Sequence, residues 1–157
     1  MLLACACALA GTAAERAQRA RLRAVQSWCA ALTALSDELR FRAPPLPELL
    51  KMAANLAGGR AGSCLLALEA ELQKAGDWRA ALRHLPEYLP TDGVWELQNA
   101  FTVLGEYDLE TQLRALTEAH TALQRSMTEL QAELAAKGRV YRAAGLSVGL
   151  MLALLLW

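Results

Sequence analysis

Both ends of the chain are apolar, and this constrains the fold more than any other feature of the sequence. Residues 1–14 carry no charged side chain, and neither do the last fifteen residues, 143–157. As α-helices these segments would be roughly 21 and 22 Å long, against a hydrocarbon core of about 30 Å. We therefore expect two short transmembrane helices, helped by bilayer thinning and by arginine side chains that reach the headgroups.

Basic residues on the inner flank of each apolar segment predict its orientation. Such residues stay on the cytoplasmic side of a membrane. Both clusters lie toward the middle of the sequence, which places both termini across the membrane and the residues between them in the cytoplasm. The predicted membrane-flanking residues are Arg16, Arg19, Lys137, Arg139 and Arg142.

This orientation divides the chain into three parts. Residues 1–14 are the predicted N-terminal anchor, residues 15–137 the cytoplasmic bundle, and residues 138–157 the C-terminal anchor. Two other interpretations of the N-terminal segment stay open. Its "ALAGTAA" stretch suits cleavage by signal peptidase, and the segment could also be a buried helix of a folded domain.

Composition and the positions of helix-breaking residues favour helices throughout residues 15–137. Alanine and leucine dominate, there is no isoleucine, and prolines and glycines are few, which disfavours sheets. The breaks fall at "RAPPLPE", Gly58-Gly59, Gly76, the Pro86 to Pro90 turn and Gly105. They predict an all-α, six-helix bundle whose long N- and C-terminal helices pair antiparallel and extend into the membrane.

Helix starts and one long seam complete this prediction. The first helix is expected to end near Phe41, and a single last helix to run from Leu109 to Trp157. Its apolar residues step by four and three, a heptad pattern. The seam comprises Leu109, Leu113, Leu116, His120, Leu123, Met127, Leu130 and Leu134. The predicted N-caps are Ser63 for the third helix, Asp77 for the fourth and Asp108 for the last, and the fifth helix is expected to start at Thr91 or Asp92.

No catalytic pattern is recognisable. Net charge is zero, so bulk electrostatics give no reason to expect nucleic acid. There is no phosphate loop, nucleophile elbow or zinc-ligand spacing. Cys29 and Cys64 leave a disulfide open, and His120 is interpreted as a seam residue that fixes helix register. We expect no enzyme activity, cofactor, metal or small-molecule substrate.

Charged turns predict where a protein partner would bind. Several of the turns between helices lie far from the expected membrane surface and carry charged side chains. The predicted partner-binding residues are Arg60, Asp77, Arg79, Glu106 and Asp108. The sequence leaves the oligomeric state open, and a homo-oligomer is one of the alternatives.

Three stretches in order resemble one family. "RLRAVQSWCAALTALSDELRFRAPPLPELL" resembles the first cytoplasmic helix and Pro-Leu-Pro-Glu turn of stage III sporulation protein AB. Leu104, Gly105, Asp108 and Gln112 resemble that family's Leu-Gly, two residues, Asp, three residues, Gln signature. The closing "KGRVYRAAGLSVGLMLALLLW" resembles its C-terminal anchor.

This resemblance implies a non-catalytic platform in a channel complex that connects mother cell and forespore during endospore formation. The family is similar to the inner-membrane platform protein of type II secretion and type IV pilus systems, which has a six-helix cytoplasmic domain. It implies as partners the membrane, the complex's secretion-type ATPase, stage III sporulation protein AA, and other channel subunits. It implies that the protein is located in the mother-cell membrane that faces the forespore. It implies no catalytic residue.

Two other functions stay open from the residues alone. One is a tail-anchored regulator, held only by its C-terminal segment, whose bundle binds a partner helix in a groove. The other is a secreted or periplasmic enzyme, which would need cleavage near Ala14 and a catalytic set that the sequence does not display.

Overall fold

Five α-helices make up the described part of the chain. The computed structural model describes the backbone of residues 2–74, 89 and 91–155, and the side chains of residues 16–74, 89 and 93–136. No strand occurs in these ranges, so the predicted all-α class is confirmed there. The predicted fourth helix, after Asp77, lies outside the described residues. The helices are α1 Leu2–Phe41, α2 Leu46–Ala57, α3 Gly59–Gln73, α4 Thr91–Val103 and α5 Leu109–Leu155.

Helix α1 ends at Phe41, as its flanking sequence predicts. The amides of Arg42 and Ala43 both donate to the Glu38 carbonyl oxygen, at 2.9 and 3.0 Å. Ala43 has a φ of +43°, an uncommon conformation for a residue with a Cβ. Two prolines follow at once, and a residue before proline is held out of the helical region. The chain therefore turns sharply into α2.

A two-glycine turn joins α2 to α3. Gly58 and Gly59 have φ values of +58° and +55°, which only glycine adopts readily. The turn lets α3 begin at Gly59, so the prediction that Ser63 is the N-cap is wrong. Ser63 lies inside the first turn of α3, where its hydroxyl donates to the Gly59 carbonyl oxygen at 3.1 Å.

Helices α2 and α3 approach each other closely at Gly62. A Cβ atom at this position would lie 2.6 Å from the carbonyl oxygen of Ala54. Only a residue without a side chain permits this backbone approach. Helix α3 is also tied to α1, because the Ala61 amide donates to Ser27 Oγ at 3.3 Å.

The two long helices pack side by side and antiparallel. Helix α1 packs along α5, and Thr33 Oγ1 lies 3.5 Å from His120 Nε2. A Cβ on Gly105, just before α5, would lie 3.3 Å from Leu46, just after α1. The end of α1 therefore lies beside the start of α5, as the sequence predicts.

The core fills the space between this pair and the three short helices. Helices α2 and α3 pack on α1, and α4 packs on α5. Trp28 of α1 meets Phe101 of α4 edge to face, with ring centroids 6.2 Å apart. The other large side chains with almost no exposure are Leu32, Leu35, Leu49, Leu50, Leu65, Leu68, Leu97, Leu104, Leu116 and Leu123.

The middle of the heptad seam of α5, from Leu113 to Leu130, packs on the core, whereas its first and last leucines do not. Leu116 and Leu123 are fully buried, whereas Leu109 is 45% exposed. In the antiparallel register set by Thr33 and His120, Leu109 lies level with about residue 44, by one residue per step along each helix. Helix α1 has already ended there, so α1 does not cover Leu109.

The predicted membrane anchors correspond to the start of α1 and the end of α5. Within the part of the chain that the structure describes, no helix is both long and apolar enough to cross a membrane. Residues 1–14 and 138–157, which the sequence predicts as anchors, have side chains outside the described part.

Candidate interaction surface

The loop between α4 and α5 has a closely defined backbone. Leu104 is fully buried, and Gly105 follows it with a φ of +81°. The amide of Glu106 donates to the Val103 carbonyl oxygen at 3.2 Å, which closes the end of α4. Glycine is needed at position 105, because its φ is positive and Leu46 lies where a Cβ would point.

Asp108 caps the start of α5, as predicted. Its carboxylate accepts from both the hydroxyl and the amide of Thr111, at 2.7 and 3.0 Å. The hydrogen bond from the Thr111 hydroxyl, followed by that from its amide, lowers the pKa of Asp108. The negative charge that results is also favoured by the positive end of the helix dipole.

Gln112 braces the loop from the first turn of α5. Its Oε1 accepts from the Gly105 amide at 3.2 Å, and its Nε2 donates to the carbonyl oxygen of Tyr107. One amide side chain supplies the acceptor and the donor at once. The backbone on both sides of Glu106 is therefore fixed to the helix that follows it.

Large side chains at this end of the bundle are exposed to solvent. Tyr107 is 58% exposed, and Phe41, at the end of α1, is 80% exposed. The same register that leaves Leu109 uncovered by α1 puts Phe41 about level with Gln112. We call this end of the bundle, which carries Phe41, Tyr107 and Leu109 with the exposed acidic residues Glu106 and Glu110, the distal surface. It lies at the end of the bundle opposite the chain termini.

Charge on either side of the distal surface differs in sign. The loop side carries Glu106, Asp108 and Glu110, whereas Arg40 and Arg42 flank Phe41. Arg42 lies 3.7 Å from Glu38, one turn back on α1. The acidic residues thus belong to the loop and the start of α5, and the basic residues to the end of α1.

The three described members of the predicted partner-binding set lie at two separate places. Glu106 and Asp108 lie together in the distal loop. Arg60 lies in the first turn of α3, where the neighbouring Gly59 faces Ser27 in the middle of α1. Helix α2, roughly 18 Å long, separates the two places. Asp77 and Arg79 are outside the described residues.

The predicted membrane-flanking residues lie at the other end. Arg16 and Arg19 are exposed on α1, about 33 to 38 Å from its end at Phe41 by helical rise. The side chains of Lys137, Arg139 and Arg142 lie outside the described residues. The described part thus has a basic end on α1 and an apolar distal end.

No chemical centre accompanies these surfaces in the described part of the chain. No group of three or more His, Cys, Asp or Glu residues there could hold a metal ion. Cys29 and Cys64 are both free thiols, so the disulfide that the sequence left open is not formed. Burial raises the pKa of both thiols, which keeps them protonated and unreactive near neutral pH.

Comparison with known proteins identifies the family. A family model described as stage III sporulation protein AB matches residues 1–157. The chain belongs to the stage III sporulation protein AB family. A solved structure titled "Stage III sporulation protein AB (SpoIIIAB)" has the same fold, with a TM-score of 0.63 and 22% identity over 74% of this chain and 97% of that chain. No curated protein sequence matches this chain.

The structure explains the signature through which this chain resembles stage III sporulation protein AB. Leu104 anchors the loop in the core, and Gly105 makes the turn. Asp108 caps α5 and Gln112 braces the loop. All four residues act on one structural feature, the shape of the distal loop.

Sequence reasoning missed the residues that this loop displays. The sequence pattern marks Phe41 only as the end of a helix, and it gives Tyr107 no role. The signal that could have identified Tyr107 is its position between Gly105 and Asp108, because a turn with these residues is not expected to place an aromatic side chain in the core.

Proposed function

We propose that this chain is a non-catalytic, membrane-held platform subunit of a channel complex that connects mother cell and forespore. Membership of the stage III sporulation protein AB family supports a role in sporulation. One observation carries the finer proposal: the long helices α1 and α5 pack antiparallel. Both apolar ends of the sequence then leave the bundle at the same end and can enter one membrane.

The register of the pair adds to this argument. Counting back from the Thr33–His120 contact, Arg16 lies about level with residue 137 of α5. Basic clusters that are far apart in the sequence therefore reach the same height. A ring of positive charge at that height suits the headgroup region of an anionic membrane.

In this arrangement the bundle lies in the mother-cell cytoplasm and the distal surface points away from the membrane. The proposed partner is the secretion-type ATPase of the complex, stage III sporulation protein AA. An ATPase in the cytoplasm would meet the bundle from the side opposite the anchors. Glu106 and Asp108 lie on that side and are the described residues that we propose for contact.

Two measurements test this proposal. Deleting the gene in an endospore-forming host should abolish heat-resistant spores, and re-expression of the full chain should restore them. The full-length protein should stay in the membrane pellet after carbonate extraction and should retain the co-expressed ATPase on an affinity column. Normal sporulation without the gene, or release of the protein by carbonate, would contradict the proposal.

A further inference from the structure

Two exposed helix faces run along the outside of the long helices. On each face, exposed residues recur at steps of three and four, which places them along one side of a helix. The α1 outer face comprises Arg16, Arg19, Arg23, Gln26 and Ala30. The α5 outer face comprises Glu118, Thr121, Arg125, Glu129, Ala132 and Ala136. Toward the predicted anchors the α1 outer face is therefore basic, whereas the charge on the α5 outer face there is that of Glu129.

Within one copy of the chain these two faces point in different directions. His120 lies 3.5 Å from Thr33, so that side of α5 faces α1. Glu129 follows His120 by nine residues, which is about two and a half helical turns. It therefore lies on the side of α5 that points away from α1, and the body of α5 separates it from Arg23 of the same copy.

The charges on the two faces nevertheless lie at the same height along the helix axes. Counting from the contact between α1 and α5, Arg23 is level with residue 130, next to Glu129. One helical turn nearer to the anchors, Arg19 and the exposed Glu133 match in the same way. A difference of one residue is about 1.5 Å. A second copy placed sideways, without any shift along the helices, thus brings opposite charges together.

We propose that the α1 outer face binds the α5 outer face of a second copy of this chain, with both copies parallel and at one height in the membrane. Arg23 of one copy pairs with Glu129 of the next. Because the two faces are different surfaces, the contact is heterologous and can continue from copy to copy as a row or a closed ring. This inference rests on the proposed function, since parallel copies at one height need anchoring in one membrane.

Lipid headgroups are the alternative partner for the α1 outer face. Arg16 lies at the proposed headgroup height, but Arg23 lies seven residues farther from the anchors, or about 10 Å. An anionic membrane surface would moreover repel Glu129. A second copy neutralises both charges at once, which lipid does not.

The ion pairs determine which faces meet rather than how tightly they bind. Exposed ion pairs add little binding free energy, whereas complementary charges select the partner surface and its register. Confinement of both copies to one membrane raises their effective concentration, so a weak contact suffices. Arg125 meets no like charge, because it is level with residue 28, between the uncharged Gln26 and Ala30.

The contact ends below Ala30. Glu118 is level with residue 35 of α1, and in a second copy it would approach the exposed, acidic Asp37. Like charges at this height keep the lower parts of neighbouring copies apart. The proposed interface therefore covers the half of the bundle nearest to the anchors.

Cysteine cross-linking between two differently tagged copies tests the faces and their height. The copies are co-expressed with their native cysteines replaced by alanine, one carrying Ala30→Cys and the other Thr121→Cys, and isolated membranes are treated with a short bismaleimide. Ala30 is level with residue 123, so this pair is matched in height. The control replaces Thr121→Cys by Ala136→Cys, which is on the same face but about 20 Å farther along α5.

The matched pair should give at least five times more product that carries both tags than the mismatched pair gives. Equal yields from the two pairs, or cross-links only to other proteins, would overturn the inference. Immunoblots of the membranes check that all variants are present at equal amounts.

Charge reversal with the matched cysteine pair tests the ion pair itself. Arg23→Glu or Glu129→Arg, introduced into both copies, should each lower the yield at least threefold, and the two changes together should restore it. Glu110→Lys reverses an exposed charge at the start of α5 and should leave the yield unchanged. Single reversals without effect, or a double variant as poor as the single ones, would show that this pair does not form.

These outcomes separate the inference from the proposed function. If the protein stays in the membrane after carbonate extraction but matched and mismatched pairs cross-link equally, the contact between copies is wrong and the platform role stands. If carbonate releases the protein, the proposed function fails, and the inference fails with it because it needs a shared membrane.

Discussion

At the scale of single residues, polar side chains at helix ends hold this bundle in register. Ser27 accepts from the first turn of α3, Asp108 caps α5, and Gln112 fixes the loop before it. Each satisfies a backbone group that a helix end leaves without a partner. Two of the three hold the loop between α4 and α5, so the stability of that loop and its shape depend on the same contacts.

Replacing Ser27 by alanine tests the tie between α1 and α3. The Ala61 amide, which belongs to a fully buried residue, would lose its acceptor, and a buried donor without a partner costs about 1–3 kcal/mol. Urea unfolding of the full-length protein in micelles measures this loss. Thr117→Ala is the control, because its exposed hydroxyl bonds only within α5. If the free energy of unfolding changes equally in both variants, the hydrogen bond between Ser27 and Ala61 does not stabilise the packing of α3 on α1.

Replacing Asp108 by alanine gives a pH-dependent effect. The folded state lowers the pKa of this carboxyl. Its contribution is therefore present above the unfolded value, about 4, and is lost as the pH falls through the lower folded value. Thermal unfolding should show a lower Tm for the variant at pH 7 and a smaller difference from wild type near pH 2. A difference that stays constant with pH would argue against an ionised cap.

At the scale of elements, the sequence predicted every described helix and most of their ends. Proline and glycine positions located the ends of α1, α2 and α4, because these residues restrict or free the backbone directly. Ser63 misled the prediction for α3, because serine caps many helices but here two glycines turn the chain earlier. Leu109 shows the limit of periodicity: a heptad gives the face of a helix, not where its neighbour ends.

Gly62 tests the packing of α2 against α3. In an isolated helix, alanine is favoured over glycine by about 1 kcal/mol. Here the added methyl group would lie 2.6 Å from the Ala54 carbonyl oxygen, and forcing the helices apart costs typically 1–3 kcal/mol. We expect Gly62→Ala to lower the free energy of unfolding by about 1 kcal/mol overall. Its neighbour Ser63→Ala, on the exposed side, should be neutral or slightly stabilising.

A more stable Gly62→Ala protein would show that α2 and α3 are farther apart than described. The close approach could not be predicted from the sequence. Gly62 lies in an ordinary helical stretch, "GRAGSCLLALEAELQ". Only the position of the neighbouring α2 backbone explains why glycine is required there.

At the scale of the whole molecule, the bundle has two different ends. Exposed arginines lie on α1 at the end where the chain termini leave, and exposed aromatic residues lie at the opposite end. The sequence predicted the first end from its charge pattern. It could not predict the second, because Phe41 and Tyr107 are separated by more than sixty residues and reach the same end of the bundle only through the pairing of α1 and α5.

Membrane topology tests the central claim most directly. Single cysteines are placed at position 5, after Trp157 and, as Tyr107→Cys, at the distal surface, with the other native cysteines replaced by alanine. Intact vegetative cells are treated with a membrane-impermeant maleimide. The account predicts labelling at both ends of the chain, and labelling of residue 107 only after the cells are permeabilised. Labelling of residue 107 in intact cells, or of one end alone, would contradict it.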